Sequence, residues 1–312
     1  MTHLALVFPG QGSQEIGMLA DLAAVHPVIQ QTFAEASGVL GYDLWALAQS
    51  GPESELNKTA VTQPAVLTAS VATYRVWRSQ TGARVSSMAG HSLGEYTALV
   101  CSEAMAFTDA VRLVKLRGEA MQRAVPEGAG AVAAVLGIDD SEVERCCAEA
   151  AALGVVSCAN YNSPGQVVIA GTSAAVDRAI ELCKAAGAKR AMRVAVSVPV
   201  HCALMKPAAL EMTGALRDVL LQMPAVPVVQ NVDAATSPDL DTIRRKLIEQ
   251  IHQPVQWTGC VEALRALGVQ RMIECGPGRV LAGLVKRIDK SLTVESAGSV
   301  AGLAAAVAFA DA

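Results

Sequence analysis

The chain opens with an apolar run, Leu4 to Phe8, that ends in the breaker-rich stretch Pro9-Gly10-Gln11-Gly12-Ser13. A short apolar run bounded by turn residues predicts a buried strand. Helical spacing follows, broken near Gly38-Val39-Leu40-Gly41 and Gly51-Pro52, and resumes near Gln63-Pro64 to about Trp77. A second apolar run, Val85 to Ala89, leads into a helical stretch from Leu93 to Met105, with another helix from Thr108 to Ala124. From Gly130 the rhythm changes. Val132 to Leu136, Val155 to Cys158, Gln166 to Ala170 and Arg190 to Val196 read as strands; Ser141 to Ala152 and Ala174 to Ala186 read as helices. That order, βαββαβ, is the ferredoxin-like split motif. A helix from about Lys206, a strand at Val226 to Val229, a helix from Leu240 to Ile251 and a strand at Arg271 to Cys275 come next. One long last helix is expected after Gly276-Pro277-Gly278. The pattern predicts an α/β chain with a large parallel-sheet domain, 1–127 and 198–312, and a small ferredoxin-like α+β insertion at 128–197.

Composition narrows the class. Of 312 residues, 52% are hydrophobic and 17% charged, which excludes disorder and implies a sizeable core. A net charge of −4 without a long run of either sign argues against nucleic-acid or membrane-surface binding. Met1 to Phe8 lacks the charged flank of a signal peptide, and Val300 to Ala310 is too short to span a bilayer. The eight cysteines include no C-x-x-C pair or finger-like Cys/His spacing, so they read as small buried hydrophobes in a reducing cytoplasm, without a metal. No exposed stripe calls for an oligomer, and a monomer is expected.

The chemistry concentrates at Gly90-His91-Ser92-Leu93-Gly94, between an expected strand and an expected helix. A serine between two glycines on a sharp strand-to-helix turn is the layout of a nucleophile elbow, as in an α/β-hydrolase-like domain. There the Ser92 hydroxyl would stand exposed at a helix start, where N–H groups and the dipole favour a developing oxyanion. A base is needed, and there are five histidines. His3 and His26 sit in ordinary places, His91 should point away from the serine's face, and His252 lies near a helix end. His201 follows the extended segment Ser197-Val198-Pro199-Val200 and precedes a new helix. It is either a satisfied helix-start histidine or a loop-borne base. Arg117 shares the apolar stripe of Ala110, Leu113, Val114, Ala120 and Met121, opposite Arg112, Lys115, Glu119 and Arg123. An arginine on the core side needs an anion: a structural salt-bridge partner or a substrate carboxylate held bidentately.

Taken together these motifs resemble those of the bacterial malonyl-CoA:acyl carrier protein transacylases. The resemblance runs from Phe8-Pro9-Gly10-Gln11-Gly12-Ser13-Gln14 through Thr62-Gln63-Pro64-Ala65, the Gly90–Gly94 turn with Glu95-Tyr96, and Asn162-Ser163-Pro164-Gly165-Gln166. It continues through Val198 to Met205, Gln253 to Trp257, and Gly276-Pro277-Gly278. It implies a ping-pong malonyl transfer from malonyl-CoA to the phosphopantetheine thiol of acyl carrier protein, with no bound cofactor, ATP or metal. The residues implied are Ser92 as nucleophile, His201 as base, and the N–H groups of Gln11 and Leu93 as oxyanion hole. Arg117 would hold the malonyl carboxylate, Gln63 would line the pocket, and a carbonyl of Gln250, main-chain or side-chain, would orient His201. The residue before the histidine is often Ser in close bacterial relatives and Phe in malonyl-specific polyketide transferase domains; Val200 stands here, and could narrow the pocket near the malonyl α-carbon.

Two other readings fit parts of the pattern. A serine esterase or thioesterase would place its histidine late, after an acidic triad member, and would not need Arg117. A non-catalytic carrier-binding subunit would have lost its serine or histidine. For an acidic carrier protein the expected docking residues are Lys189, Arg190 and Arg193, then Lys286 and Arg287.

Overall fold

The computed structural model describes residues 3–194 and 198–312. Among them nine strands run in chain order: β1 (His3–Phe8), β2 (Val85–Gly90), β3 (Gly130–Leu136), β4 (Val156–Ser163), β5 (Gln166–Thr172), β6 (Arg190–Arg193), β7 (Val228–Val229), β8 (Val269–Glu274) and β9 (Thr293–Ser296). They form two sheets.

The larger sheet has the order β7-β2-β1-β8-β9, and every pair in it is parallel. β1 is central, and its side chains divide between two cores. Leu4, Leu6 and Phe8 join the core built with the helices Thr59–Gln80, Phe107–Ala124 and Lys206–Asp218. Ala5 and Val7 join a second core with Trp257, Val261, Leu264 and Leu281. A strand covered on both faces must be apolar throughout, which explains its unbroken hydrophobic run.

The smaller sheet has the order β4-β5-β3-β6, with antiparallel pairs. The helices Asp140–Ala150 and Ser173–Ala185 cover one face, packing Val143, Cys146, Cys147, Val176 and Ile180 on Ala133, Val135 and Ile169. This is the expected βαββαβ arrangement. Its other face receives the chain around His201: Cys202 packs with Val132, Ala159 and Ala170. A Cβ on Gly130 would lie 2.5 Å from Pro199 Cγ, so the glycine lets that segment settle on the sheet. β4 also pairs with the large unit, where Tyr161 N donates to Val255 O (2.9 Å) and Val255 N to Ala159 O (2.9 Å).

Several expected boundaries move. The elbow helix is shorter, Gly94–Cys101. The Gln63-Pro64 helix begins earlier, at Thr59. The strand expected at Val226 to Val229 shrinks to Val228–Val229; Pro227 has no N–H and contributes only its carbonyl, to Met88 N (2.8 Å). A helix at Trp257–Ala266 was not expected. The single last helix is wrong. Val280–Ile288 and Val300–Asp311 are separated by β9, which pairs with β8. Asp289 breaks the run by accepting from Ser291 N and Oγ (2.8 and 2.7 Å), a local turn that competes with helix. The expected strand Arg190 to Val196 is present as Arg190–Arg193, and 195–197 lie outside the described residues.

Candidate active site

The site lies where β1, β2 and β8 end, the edge at which open parallel sheets place their ligands. Three glycines let the loops nest there. A Cβ on Gly90 would sit 1.9 Å from the Gly94 carbonyl, one on Gly94 would sit 2.1 Å from Phe8 O, and one on Gly10 would sit 2.5 Å from His91 O. The G-x-S-x-G spacing is thus a packing requirement between the β2 turn and the loop after β1. Gly276 meets the same loop, since its Cβ would stand 2.7 Å from Pro9 Cγ.

Ser92 has φ 51°, the left-handed conformation that costs a non-glycine residue about 1–3 kcal/mol. Asn231 holds it there. Its Oδ1 accepts from Ser92 N (2.7 Å) and its Nδ2 donates to Gly90 O (2.7 Å), which clamps both sides of the turn.

His201 meets the serine as the resemblance implied. Its Nε2 is 2.7 Å from Ser92 Oγ, and its Nδ1 is 2.6 Å from the main-chain carbonyl of Gln250. A carbonyl only accepts, so Nδ1 carries the proton and Nε2 presents its lone pair to the hydroxyl. Burial, then the nearby Arg117 cation, lower the His201 pKa to about 3, against the opposing pull of the Gln250 carbonyl. The imidazole is therefore neutral at neutral pH and able to accept a proton.

Arg117 is 2% exposed. Gly118 beside it allows the Phe107–Ala124 helix to approach the Thr59–Gln80 helix closely; a Cβ there would lie 2.6 Å from Ala60 Cα. The guanidinium finds no carboxylate within ion-pair distance among the described residues. Instead Nη1 donates to Gln63 Oε1 (2.8 Å), and Nη2 donates to Gln250 Oε1 (2.9 Å) and Ser92 Oγ (3.2 Å). Its Nε has no acceptor among the described residues, and its charge lies 5.6 Å from the Tyr96 ring centre. Burial depresses its pKa, opposed by Tyr96 and Glu95. A buried cation with neutral partners, next to a serine hydroxyl, suits an incoming carboxylate.

Gln250 contributes both of its carbonyls, the main-chain one to His201 and the side-chain one to Arg117. The N–H groups of Gln11 and Leu93 find no acceptor among the described residues, and both residues line the cleft. The Gln11 side chain is tied back to Thr59 Oγ1 (3.3 Å). His91 turns from the serine, bonding Asn162 Oδ1 (2.7 Å) and lying 5.6 Å from the Trp257 ring.

The cleft has a volume of about 230 Å³, and Val200, Asn160, Asn162 and Val168 complete its wall. Of the basic residues named for docking, Lys189 and Arg190 are exposed. Arg193 is engaged by Asp177 through two bonds of 2.7 Å. Arg287 reaches Gln166, at the cleft. Sequence reasoning missed Asn231 and the buried Glu95. Neither has a distinctive spacing, although an acid in the first turn of a helix after the elbow was visible.

Residues 5–305 match the acyl transferase domain family. The chain is 58% identical over 307 residues to the malonyl CoA-acyl carrier protein transacylase of Escherichia coli K12, covering 98% of this chain and 99% of that one. It superposes, with TM-score 0.97 and 55% identity, on a malonyl-transacylase solved with its type II PKS acyl-carrier protein, covering 99% and 100% of the two chains. The acyl carrier protein S-malonyltransferase of Vibrio cholerae matches with TM-score 0.95 and 54% identity, over 98% and 100%. The chain belongs to the acyl transferase domain family and, within it, to the malonyl CoA-acyl carrier protein transacylases.

Proposed function

We propose that the chain transfers malonyl from malonyl-CoA to the phosphopantetheine thiol of acyl carrier protein through an ester on Ser92, for fatty acid synthesis. The observation that carries this reading is the buried Arg117, a cation without a carboxylate partner among the described residues, 3.2 Å from the Ser92 hydroxyl. Ser92 Oγ attacks the thioester carbonyl as His201 Nε2 takes its proton. The N–H groups of Leu93 and Gln11 hold the oxyanion. Collapse breaks the C–S bond, and His201 returns the proton to the leaving thiolate of CoA. The malonyl ester keeps its free carboxylate on Arg117, with Gln63 bracing the guanidinium. The carrier thiol then loses its proton to His201, attacks the ester and leaves as malonyl thioester, while Ser92 regains the proton. Thioester is exchanged for ester and back, so the step draws on no bound cofactor, metal or ATP.

The two folding units divide at 127/128 and 197/198 in this reading, the second border lying at the edge of the undescribed residues. Val200 faces the malonyl α-carbon. The carrier docks along the basic rim of Lys189, Arg190, Lys286 and Arg287, and Arg193, held by Asp177, contributes least. The protein works in the cytoplasm as a monomer; no helix among the described residues is long and apolar enough to cross a membrane. The test is to incubate the protein with malonyl-CoA and holo acyl carrier protein and measure both malonyl-carrier and free malonate. Malonyl-carrier in excess supports transfer; release of malonate alone would make the protein a thioesterase.

A further inference from the structure

Glu95, on the first turn of the Gly94–Cys101 helix, is fully buried, and no cation lies within ion-pair distance of it among the described residues. Three neutral donors satisfy it. Oε1 accepts from Gln230 Nε2 (3.0 Å); Oε2 accepts from Asn231 N (2.8 Å) and Gln250 Nε2 (3.0 Å). Burial raises its pKa and these bonds oppose the rise. A buried carboxylate is costly, so its place beside Asn231 and Gln250, two groups that continue to the site, asks for a reason.

Gln250 supplies one. Its amide has two ends that must not be exchanged: Arg117 can only donate, so it requires Oε1, and the Glu95 carboxylate requires Nε2. With the amide set this way, Nε2 also donates to Ser92 O (3.0 Å). Ser92 O and Leu93 N–H belong to one planar trans peptide and point in opposite directions. Drawing the carbonyl toward Gln250 therefore aims the Leu93 N–H away from it. Gln250 thus touches the serine peptide, the guanidinium and, through its own carbonyl, His201 Nδ1. Asn231, held by Glu95 at its N–H, clamps Ser92 N and Gly90 O.

Resting on the transfer reading above, we propose that Glu95 is a positioning residue. Through Gln250 and Asn231 it fixes the oxyanion donor of Leu93 and the orientation of Arg117 together. It does not touch substrate.

The test compares Glu95→Ala and Glu95→Gln with wild type, following acylation by malonyl-CoA and by acetyl-CoA with rapid quench and intact mass. Glu95→Ala is expected to slow malonyl acylation per active site about 100-fold, the scale of a small misplacement of reacting groups. The malonyl-to-acetyl rate ratio should fall about tenfold as well, because Arg117 loses a charge-assisted bond of fixed direction. Glu95→Gln keeps one accepting oxygen and should fall between. A role in folding alone would lower the number of active sites while leaving rate per site and ratio at the wild-type value, and that result would overturn the proposal. If Glu95→Ala does not fold, Glu95→Gln decides: a lowered ratio supports positioning, and an unchanged ratio overturns it. Wild type is run first. Failure to form its malonyl ester would remove the transfer reading itself, which a wild-type ester with unaltered variants would not.

Discussion

The chain leaves β2 and β8, parallel strands of one sheet, through glycine-rich turns, each flanked by a glutamate in the core: Glu95 on the helix after the first turn and Glu274 at the end of β8 before the second. Glu95 and Glu274 are both fully buried, both satisfied by three neutral donors, and both raised in pKa by that burial. Glu274 spends its bonds on Leu281 N (3.0 Å), Ala282 N (2.9 Å) and Ser296 Oγ (3.3 Å). These are two first-turn backbone donors of the Val280–Ile288 helix and the end of β9, so this carboxylate caps a helix and seals an edge. Two of the three donors on Glu95, Asn231 and Gln250, lead instead to the serine turn, the guanidinium and the imidazole. The chemistry of a buried acid is the same at both turns. What distinguishes them is where the donors lead next.

The sharpest way to separate the two turns is substrate choice. Arg117→Ala removes the guanidinium that contacts Ser92 and should cut malonyl acylation about 100-fold, within the roughly 2–5 kcal/mol range for truncating a buried charge partner. Acetyl acylation should fall far less, so discrimination collapses; rates with the two thioesters, measured side by side, check this. A preserved malonyl preference would leave the carboxylate without its assigned grip. At the other turn, Glu274→Ala orphans two backbone donors and should lower unfolding free energy by about 1–3 kcal/mol for the group left unsatisfied. Its malonyl-to-acetyl ratio should stay at the wild-type value. Thermal melting together with the ratio tests both halves, and a changed ratio would erase the contrast with Glu95.

The smallest expected effect is a flat line. An ordinary histidine base titrates near 6.5, but that of His201 is lowered to about 3. Acylation by malonyl-CoA should therefore hold level from about pH 8 down to about pH 5. A limb near 6.5 in kcat/KM would contradict the buried, neutral imidazole. The same depression links to stability with a definite sign. Below 6.5 the unfolded chain binds a proton that folded His201 refuses until about 3, so its contribution is complete above 6.5 and drains as pH falls.

Much of this site was readable in the chain. Ser92 was visible because tight turns admit only glycine on either side, and Arg117 because a charge on an apolar helical stripe is anomalous. The small unit was visible because its period changes at Gly130. Asn231 and Glu95 escaped because a buried polar residue in a loop or first turn looks like a solvated one until its donors and acceptors are placed. Gln250 was named for one carbonyl and uses two, a distinction no spacing encodes. β9 was lost inside an expected helix, since four residues that pair with the preceding strand, β8, leave little local trace.

The most direct measurement is the intact mass of wild type and Ser92→Ala after brief incubation with malonyl-CoA, with the modified residue mapped by fragmentation. A single malonyl adduct on Ser92 of the wild type, absent from the variant, is the predicted result. An adduct that persists in Ser92→Ala, or maps to another residue, would contradict the central claim that the strained serine between His201 and Arg117 carries the acyl group.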